Sequence, residues 1–526
     1  MLMERCELLR YLDEPGAAWD LIVIGGGATG LGTAVEAASR GLRTLLLEQR
    51  DFASGTSSRS TKLIHGGLRY LRQGRLRLVL GALRERGVLF RNAPHLVRSL
   101  TFVVPCYAGW EGPYYRAGLK LYDLLAGRSG LGPSRWLSRS ETLERVPNLE
   151  PSGLRGGVAY PDGQFDDARL AVSLARTLLD LGGVPLNYLA VEGFLKSRGR
   201  IDGVSACDKE TGQSYRLHAR VVVNATGVFA DGLRRLDDAG APPIIAPSQG
   251  IHLVLDQSFL PGDCALMVPR TDDGRVLFAI PWLDRVLIGT TDTPVATTPL
   301  EPQALPAEIE YLLTHAGRYL SRKPRHEDLL SVFAGLRPLV RSRTGISTAA
   351  LSRDHRIIVS GSGLVTVTGG KWTTYRRMGE DAVDRAAAVA GLAIGPSATE
   401  RLRLHGWLME PGPDPRQWYG AEGEGLLASG AGLAGGDEPL HPRLPYRPRH
   451  VVHAVRCEFA RTVEDVLARR CRALFLDAAA SMAMAPAAAR LMAAELGRDE
   501  TWQRQQISEF CALAGSYLPL TRVGAR

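Results

Sequence analysis

The chain has 526 residues, of which 45% are hydrophobic and 23% charged, and its formal net charge is +9. This length and composition are those of an ordinary soluble protein with two or three domains and a large core. No run of about 18 apolar residues occurs, which excludes a membrane-spanning helix. The seven cysteines are scattered without a C-x-x-C pair, so neither a disulfide framework nor a zinc site is expected.

The positive charge comes almost entirely from arginine, since only six of the basic residues are lysines. An anionic membrane surface, an anionic substrate, a nucleic acid or a biased genome composition would each explain it. No recognition motif and no alternation of aromatic and basic residues supports nucleic-acid binding. No calcium loop of the type D-x-[DN]-x-[DN]-G is present either. We therefore expect no nucleic-acid partner and no bound metal.

The first predicted elements form a strand–helix–strand unit at Leu21–Ile24, Ala34–Ser39 and Leu45–Leu47. Gly25, Gly27 and Gly30 follow the first strand with the spacing G-x-G-x-x-G, and Glu48 ends the second strand. In such a unit the pyrophosphate of a dinucleotide lies at the helix N-terminus, and the acid binds a ribose hydroxyl. An acid at this position favours an unphosphorylated ribose, so the sequence predicts NAD or FAD.

The polar loop at residues 51–75 favours FAD. A nicotinamide enzyme usually continues from the acid to a third strand, whereas here Ser57–Lys62 leads into the motif HGGLRY. The hydroxyl groups and glycine amides of such a loop can wrap a phosphate or hold the edge of a flavin. Serine and glycine are also ordinary loop residues, so a purely structural loop stays open as the alternative.

Helices alternate with short β-runs over the rest of the chain. The predicted helices are Leu78–Phe90, Tyr114–Leu125, Ser140–Val146, Asp166–Leu181 and Pro306–Leu320, and the predicted strands lie near Val184–Leu189, Gly203–Ala206 and Val221–Asn224. Short strands follow between His252 and Thr291, and the tail from His450 is helical. Asp166 and Asp167 have the look of a catalytic carboxylate pair, but we interpret them as helix-capping residues.

Five sequence motifs together resemble one family. GGGATGLGTAVEAASRGL, TSSRSTKLIHGGLRYL, NATG, IGTTD and GGKWTTYR are similar to the motifs of the FAD-dependent, respiratory sn-glycerol-3-phosphate dehydrogenases, a branch of the D-amino-acid-oxidase-like flavoproteins. The likeness covers residues 18–390 and extends more loosely to FARTVEDVLARRCRALFLD in the tail. It implies oxidation of the C2 hydroxyl of glycerol 3-phosphate, hydride transfer to flavin N5, and passage of the electrons to a quinone.

Three rival functions stay open beside this resemblance. A glycerol-3-phosphate oxidase, which passes electrons to oxygen and releases hydrogen peroxide, shares the same motifs. An amine or amino-acid oxidase would use the same fold for a substrate that carries a carboxylate. A flavin-binding scaffold that has lost turnover is a non-enzymatic alternative.

The resemblance implies an α/β fold. It comprises an FAD-binding Rossmann-like domain of the glutathione-reductase type, an inserted antiparallel β-sheet that forms the substrate or cap domain, and a C-terminal helical domain. The expected segments are the FAD-binding domain at 18–95, 161–230 and 333–395, a helical cap insertion at 96–160, a β-rich cap at 231–332, a linker at 396–448 and the helical domain at 449–526.

The expected FAD-binding residues lie in the motifs of the resemblance. They are Gly25, Gly27, Gly30, Glu48, Thr56, Ser57, Ser58, Lys62, Leu63, His65, Gly66, Gly67, Ala225, Thr226, Gly227, Gly369, Gly370 and Thr373. Gly369 and Gly370 open a helix whose N-terminal amides can face the electron-rich pyrimidine side of a flavin. A plain strand-to-helix turn is the alternative there.

The substrate phosphate requires fixed cations, because it is a dianion in a partly closed site. The expected substrate-binding residues are Arg69, Tyr70, Arg337, Arg353 and Lys371. Arginine is so common in this chain that any single one could be a surface charge, an objection that is weaker for lysine.

The reaction also needs a base, and histidine titrates in the right range. His252, in the strand SQGIHLVL, matches the family's Gly-x-His strand, and His65 precedes two glycines near the flavin. Arg337 can assist by stabilising the alkoxide as it forms. Gln249 departs from the family pattern, because many bacterial relatives have a basic residue there. The expected catalytic residues are His252, Arg337 and His65.

The predicted helix Tyr114–Leu125 combines aromatic residues, leucines and cations. It suits a headgroup layer as a monotopic anchor, and it equally suits an ordinary core helix. The resemblance tips the interpretation toward the membrane, because a quinone must reach the flavin from the bilayer. We therefore expect a cytoplasmic protein bound peripherally to the inner face of the cytoplasmic membrane, with glycerol 3-phosphate and membrane quinone as partners. The oligomeric state stays open, with a homodimer as one option.

Overall fold

The strands of the protein form two large sheets, and helices cover both. The computed structural model describes residues 5–13, 18–269, 271–272, 274–341, 354–410, 415–433 and 435–519, leaving aside the side chains of Arg69 and of residues 415–417.

The strands, in chain order, are β1 Trp19–Ile24, β2 Thr44–Leu47, β3 Leu63–Ile64, β4 Val97–Cys106, β5 Arg135–Ser138, β6 Gly156–Phe165, β7 Val184–Leu186, β8 Leu189–Ser197, β9 Arg200–Asp208, β10 Ser214–Asn224, β11 Ile245–Asp256, β12 Ala265–Val268, β13 Leu277–Trp282, β14 Arg285–Gly289, β15 Thr293–Pro294, β16 Ser331–Val340, β17 Arg356–Val359 and β18 Val365–Thr368.

The helices are α1 Arg5–Arg10, α2 Ala28–Ser39, α3 Leu68–Arg72, α4 Leu76–Asn92, α5 Glu111–Ala126, α6 Arg139–Arg145, α7 Asp167–Asp180, α8 Ala230–Asp237, α9 Pro306–Ala316, α10 Tyr375–Ala390, α11 Gly423–Ala428, α12 Pro448–Cys457, α13 Ala473–Leu476, α14 Ala478–Leu496 and α15 Glu500–Gly515. A π-helical turn, Asp465–Arg470, precedes α13.

The first sheet has the strand order β17-β18-β10-β1-β2-β7, and β9 and β8 extend it from β10. β1 lies parallel to both β10 and β2, with Ile24 opposite Asn224 and Leu47. The carboxyl ends of these three strands therefore meet at one edge of the sheet, which is where open α/β sheets bind ligands. Helix α2 packs on the sheet through an almost entirely buried face, as the apolar run after the glycine motif predicts.

The second sheet has the order β15-β11-β14-β13-β12-β4-β6-β3, with β16 paired to β11 and β5 paired to β6. Most of its pairs are antiparallel, and β16 follows β11 over ten paired residues from Ile245 to Val254. This long ladder places the strand that carries His252 beside the strand that carries Arg337. The α/β class, the FAD-type first sheet and the inserted antiparallel sheet are confirmed.

The expected helical insertion at 96–160 needs correction. The helices α5 and α6 are present, and Ser138 and Glu141 form a capping box at α6. However, β4, β5 and the first half of β6 also lie in this segment and form part of the second sheet, next to its β3 end. The run VRSLTFVVPC of β4 is rich in β-branched residues, which suit a strand.

The segment 396–448 is also more than a linker, because it contains α11 and buries side chains such as Tyr419, Leu426 and Leu444. The C-terminal region from α12 to α15 is helical as expected. Its core is continuous with the second sheet, since Val466 and Phe510 belong to the same buried cluster as Trp282 and Phe333. The C-terminal helices thus pack directly on the strands that border the candidate site.

Candidate active site

A cavity of about 750 Å³ lies at the carboxyl ends of β1, β2 and β10. Its lining includes thirteen of the eighteen residues expected to bind FAD: Gly25, Gly27, Glu48, Thr56, Ser57, Leu63, His65, Ala225, Thr226, Gly227, Gly369, Gly370 and Thr373. The structure therefore brings the separate sequence motifs to one place.

The turn from β1 into α2 is built so closely that only glycine fits it. Gly25 has a φ of +111°, a conformation that favours glycine. A Cβ atom on Gly30 would lie 1.8 Å from the carbonyl oxygen of Gly25, and one on Gly27 would lie 3.0 Å from Ser57 Oγ. Gly27 is also the N-cap of α2 and supplies no capping side chain. The first turn of α2 therefore faces the cavity with backbone amides, which suit a pyrophosphate.

Glu48 lies at the end of β2, opposite this turn. Its carboxylate accepts hydrogen bonds from the backbone N–H of Gly26 at 2.7 Å and of Arg50 at 2.9 Å. Burial raises the pKa of the Glu48 carboxyl, because a poorly solvated environment disfavours its charge. The two hydrogen bonds fix the orientation of the Glu48 carboxylate at the wall of the cavity, as a ribose-binding acid requires.

Contacts between distant segments fix the polar loop. Ser57 Oγ accepts from the N–H of Ala28 at 2.9 Å, and Ser57 O accepts from Trp372 Nε1 at 2.8 Å. Thr56 Oγ1 donates to Leu336 O at 2.6 Å. The loop is therefore held by the glycine turn, by β16 and by the GGKWTT segment together, which explains why these motifs occur in one chain.

The remaining expected FAD residues support the cavity from behind or lie beside it. The Lys62 ammonium is fully buried and donates to Ser58 O and to Asp167 Oδ2, each at 2.7 Å, so it serves the loop itself. Gly66 packs where a Cβ atom would lie 2.5 Å from the Tyr122 hydroxyl, and Gly67 lines a neighbouring cavity. The structure thus gives Lys62 a partner that the sequence did not suggest.

The two expected capping carboxylates divide their roles. Asp166 is the N-cap of α7 and accepts from the N–H groups of Ala168 and Arg169, as predicted. Asp167 Oδ1 accepts a hydrogen bond from the Ala168 N–H as well. Asp167 Oδ2, however, accepts hydrogen bonds from Ser60 N and Lys62 Nζ. Asp167 therefore anchors the loop, a role that helix patterning does not reveal.

His252 and Arg337 line the far end of the same cavity. Arg337 on β16 pairs with Ser248 on β11, and His252 lies four residues further along β11, so these residues share one face of the sheet. Arg337 Nη2 donates to Thr290 Oγ1 at 2.9 Å, and Nη1 lies 3.3 Å from Gln249 O and 3.4 Å from Asp292 Oδ1. Asp292 also accepts a short hydrogen bond from Ser248. Asp292 and Thr290 belong to the IGTTD motif and hold the guanidinium in place.

His252 is buried and lies parallel to Phe333, with the ring centres 4.9 Å apart. Its Nε2 is 3.0 Å from Thr61 Oγ1, at hydrogen-bond distance. Burial, with the charges of Lys62 and Arg337, lowers the pKa of His252 well below its usual value. The ring is therefore neutral at physiological pH. Sequence reasoning missed Thr61, whose signal was its position inside the loop motif TSSRSTK.

Lys371 also lines this cavity, and it contacts Tyr70, which lines a neighbouring cavity. The Lys371 ammonium lies 4.0 Å from the centre of the Tyr70 ring, a cation–π distance. His65 lines the cavity too, and its backbone N–H donates to Thr373 Oγ1 at 3.3 Å. Arg353 falls in the segment 342–353, outside the described residues, and so does the side chain of Arg69.

A second cavity, of about 490 Å³, adjoins the first. Four residues line both: Thr61, Leu63, His65 and Arg337. Its other walls are mainly aromatic and aliphatic and include Tyr70, Phe102, Tyr114, Tyr115, Tyr160, Leu121, Met267 and Phe278. The apolar space therefore runs from the His252 region toward α5.

The geometry defines a class of protein, the FAD-dependent oxidoreductases. The family model described as "FAD dependent oxidoreductase" matches residues 20–376, and that of the "C-terminal domain of alpha-glycerophosphate oxidase" matches residues 416–503. The glycine turn, the acid and the hydroxyl-rich loop fit the cofactor, since the backbone amides suit its pyrophosphate and Glu48 suits its ribose.

Similar proteins of known function narrow this class of oxidoreductases to one family. The chain is 40% identical to the mitochondrial glycerol-3-phosphate dehydrogenase of Arabidopsis thaliana, over 93% of this chain and 85% of that protein. It is 39% identical to the human mitochondrial enzyme, over 93% of this chain and 72% of that protein. The structure of the glycerol-3-phosphate dehydrogenase from Bacillus halodurans, complexed with FAD, matches with a TM-score of 0.80 and 30% identity over 98% of each chain. The chain belongs to the family of FAD-dependent glycerol-3-phosphate dehydrogenases, and its cofactor is FAD.

Proposed function

We propose that this enzyme oxidises sn-glycerol 3-phosphate to dihydroxyacetone phosphate. The observation that carries the proposal is a buried imidazole, His252, in the same cavity as the cations of Arg337 and Lys371. A phosphate dianion needs fixed positive charge, and a secondary hydroxyl needs a base beside it. The names of the relatives supply the identity of the substrate.

Each residue of the site has a separate role in the proposed reaction. The neutral His252 accepts the proton of the C2 hydroxyl, while Thr61 holds the orientation of the ring. Lys371 binds the phosphate, and Arg337 adds positive charge beside the oxygen that loses its proton. The glycine turn and Glu48 would hold FAD, which would supply an acceptor for the hydride of C2. Asp292 and Thr290 keep the Arg337 guanidinium in place during the reaction.

Electrons then leave, in our proposal, to a membrane quinone. The second cavity supports this acceptor, because its apolar walls suit a quinone ring and it shares Thr61, Leu63, His65 and Arg337 with the first cavity. Oxygen, with release of hydrogen peroxide, is the alternative acceptor. The L-alpha-glycerophosphate oxidase of Mycoplasma pneumoniae has a TM-score of 0.54 at 18% identity, a likeness that shows only a shared fold.

The proposed place of action is the inner face of the cytoplasmic membrane, with peripheral attachment. Six large apolar side chains are exposed on α5, on α4 and just before α5: Leu76, Leu80, Trp110, Tyr114, Leu121 and Leu124. Leu124 is 76% exposed and Trp110 is 63% exposed, and Arg77 and Arg116 add exposed cations nearby. This combination suits a headgroup layer. None of the helices in the described part of the chain is long and apolar enough to cross a membrane.

Anaerobic mixing tests the substrate. Glycerol 3-phosphate should bleach the yellow flavin of the purified holoenzyme, whereas glycerol and amino acids should not. A panel of polyol phosphates then defines the specificity. Bleaching by an amino acid, with none by glycerol 3-phosphate, would overturn the proposed reaction.

A second measurement tests the acceptor. In aerated turnover we expect rapid reduction of a quinone analogue and little hydrogen peroxide. Stoichiometric peroxide, with no reduction of the quinone analogue, would assign the chain to the oxidases.

A further inference from the structure

Arg472 is one of the buried side chains through which the C-terminal helical domain reaches the polar loop of the FAD site. Arg472, just before α13, donates from Nη2 to Ser58 O at 2.9 Å and to Asp167 Oδ1 at 3.1 Å. Only 2% of the residue is exposed. A residue of the last helical region thus bonds directly to the backbone of the loop.

Asp167 carries this contact into the loop. Its Oδ2 accepts from Ser60 N at 3.0 Å, from Ser60 Oγ at 2.7 Å and from Lys62 Nζ at 2.7 Å. The adjacent charges of Lys62 and Arg472 hold the pKa of Asp167 below its usual range. A buried carboxylate between two cations resists displacement, because any movement leaves a charge unpaired away from water. The conformation of residues 58–62 therefore depends on Arg472.

Thr61 lies inside this braced turn and meets His252, with 3.0 Å between Oγ1 and Nε2. The face of the His252 ring has a second support, Phe333, which in turn contacts Phe475 edge-on at 4.8 Å between ring centres. Phe475 also packs on Arg472, whose guanidinium carbon is 4.4 Å from the ring centre. The contacts at the edge of the His252 ring and those at its face thus both connect it to the segment Arg472–Phe475 of the C-terminal domain.

We propose that Arg472 and Phe475 are positioning residues that hold His252 in its reactive orientation. Arg472 acts through Asp167 and Thr61, and Phe475 acts through Phe333. The proposal rests on the proposed role of His252 as the base. It gives the C-terminal domain a part in the reaction, although that domain supplies no residue that touches the substrate in the proposed mechanism.

A double-mutant cycle tests the polar route. Arg472→Lys keeps the charge, but its ammonium lies one bond nearer the backbone than Nη2 and it lacks the planar guanidinium that packs on Phe475, and Thr61→Val removes only the hydroxyl. A misplaced reacting group can cost about a hundredfold in rate, so each single variant should slow anaerobic flavin reduction at least about tenfold. The double variant should be no slower than the slower single variant, because both changes break one chain of contacts. Rate losses that multiply would overturn the proposal.

A second readout does not depend on turnover. In the FAD-loaded protein without substrate, the ¹⁵N resonances of the His252 ring should move in the same direction in Arg472→Lys and Thr61→Val. Phe475→Leu should also shift the His252 resonances, since it loosens the packing of Phe333, the stacking partner of the ring. If Arg472→Lys fails to fold, the Phe475→Leu result tests the positioning role. Unchanged His252 resonances in folded Arg472→Lys and Phe475→Leu proteins would contradict the positioning role.

Arg498→Met is the matched control. Arg498 follows α14 and forms an ion pair with Glu210 at 2.9 Å, so it also joins the C-terminal region to the rest of the molecule, but through the turn between β9 and β10 and not through the loop. It should leave both readouts at the wild-type value. If glycerol 3-phosphate fails to bleach even the wild-type flavin while the resonances still shift together, the proposed function fails and the positioning role stands.

Discussion

The Lys371 ammonium lies 4.0 Å from the centre of the Tyr70 ring. Tyr70 belongs to α3, within residues 51–75, and Lys371 lies between β18 and α10. The contact joins two motifs that were assigned to the substrate. The aromatic face supports the cation, and Lys371 itself lines the cavity that holds His252.

Replacing Lys371 with methionine should weaken substrate binding while FAD stays bound. Loss of one charge-assisted hydrogen bond costs on the order of 1.5–3 kcal/mol, which corresponds to about 10- to 150-fold in KM. Steady-state kinetics with glycerol 3-phosphate measure the change. Lys323→Met, at an exposed lysine, is the control. An unaltered KM in Lys371→Met would remove this residue from the substrate site.

Arg337→Met should reduce kcat, because the guanidinium adds positive charge beside the reacting oxygen in the proposed mechanism, and it should also raise KM, because Arg337 and Lys371 are the cations of the cavity that receives the substrate dianion. Asp292→Asn tests its support, since Asp292 lies 3.4 Å from Arg337 Nη1. We expect the Asp292 variant to show the same pattern of losses at smaller amplitude. A change in KM alone in Arg337→Met would restrict this residue to phosphate binding.

The rate of flavin reduction by the substrate should not fall when the pH is lowered to mildly acidic values. His252 must be neutral to accept a proton, and its pKa lies well below 6.5 because of burial and the charges of Lys62 and Arg337. A lowered pKa means that the ring binds its proton only at more acidic pH, so kcat/KM should stay level between about pH 7.5 and 6.5. A decline centred at about pH 6.5 or higher, absent from His252→Gln, would show that the pKa of the histidine is not lowered.

Gly27→Leu should yield colourless protein. A Cβ atom at this position already lies 3.0 Å from Ser57 Oγ, and a longer side chain fills the space over the first turn of α2. Absorbance of the purified protein near 450 nm measures the bound FAD. Gly81→Ala on α4, where an added Cβ atom meets nothing within 4 Å, should keep the full colour. Retention of FAD in Gly27→Leu would place the pyrophosphate elsewhere.

Leu121→Ser combined with Leu124→Ser should weaken binding to anionic lipid vesicles. Each leucine that enters the apolar layer contributes up to about 1.5–3 kcal/mol, so the double variant should lose at least tenfold in vesicle binding. Co-sedimentation with vesicles measures it. Leu427→Ser, at an exposed leucine on α11, is the control. Equal binding by wild type and double variant would argue against α5 as the contact face.

The sequence alone was sufficient to predict the parts of the site whose residues lie close together in the chain. The glycine turn, Glu48 and the helix α2 follow one another within thirty residues, so spacing alone predicts them. The strand β4 was missed because its partners β6 and β12 are remote in sequence and α5 lies between them. Lys62 was assigned to the cofactor because it lies in a motif of the resemblance, whereas its partner Asp167 is brought to it by the fold.

The pairing of Arg470 with Asp51 has a consequence for protein synthesis. Arg470 donates to both oxygens of the Asp51 carboxylate, at 2.5 and 2.8 Å, and the two residues stand near opposite ends of the chain. A ribosome adds Arg470 at a point 419 residues after Asp51, so the Asp51 carboxylate lacks this counter-charge while the chain between them is made. A buried carboxylate without its cation costs about 3–5 kcal/mol. A polypeptide that ends before residue 469 would therefore carry every flavin-binding motif and still lack Arg469 and Arg470, the two cations that pair with Asp51.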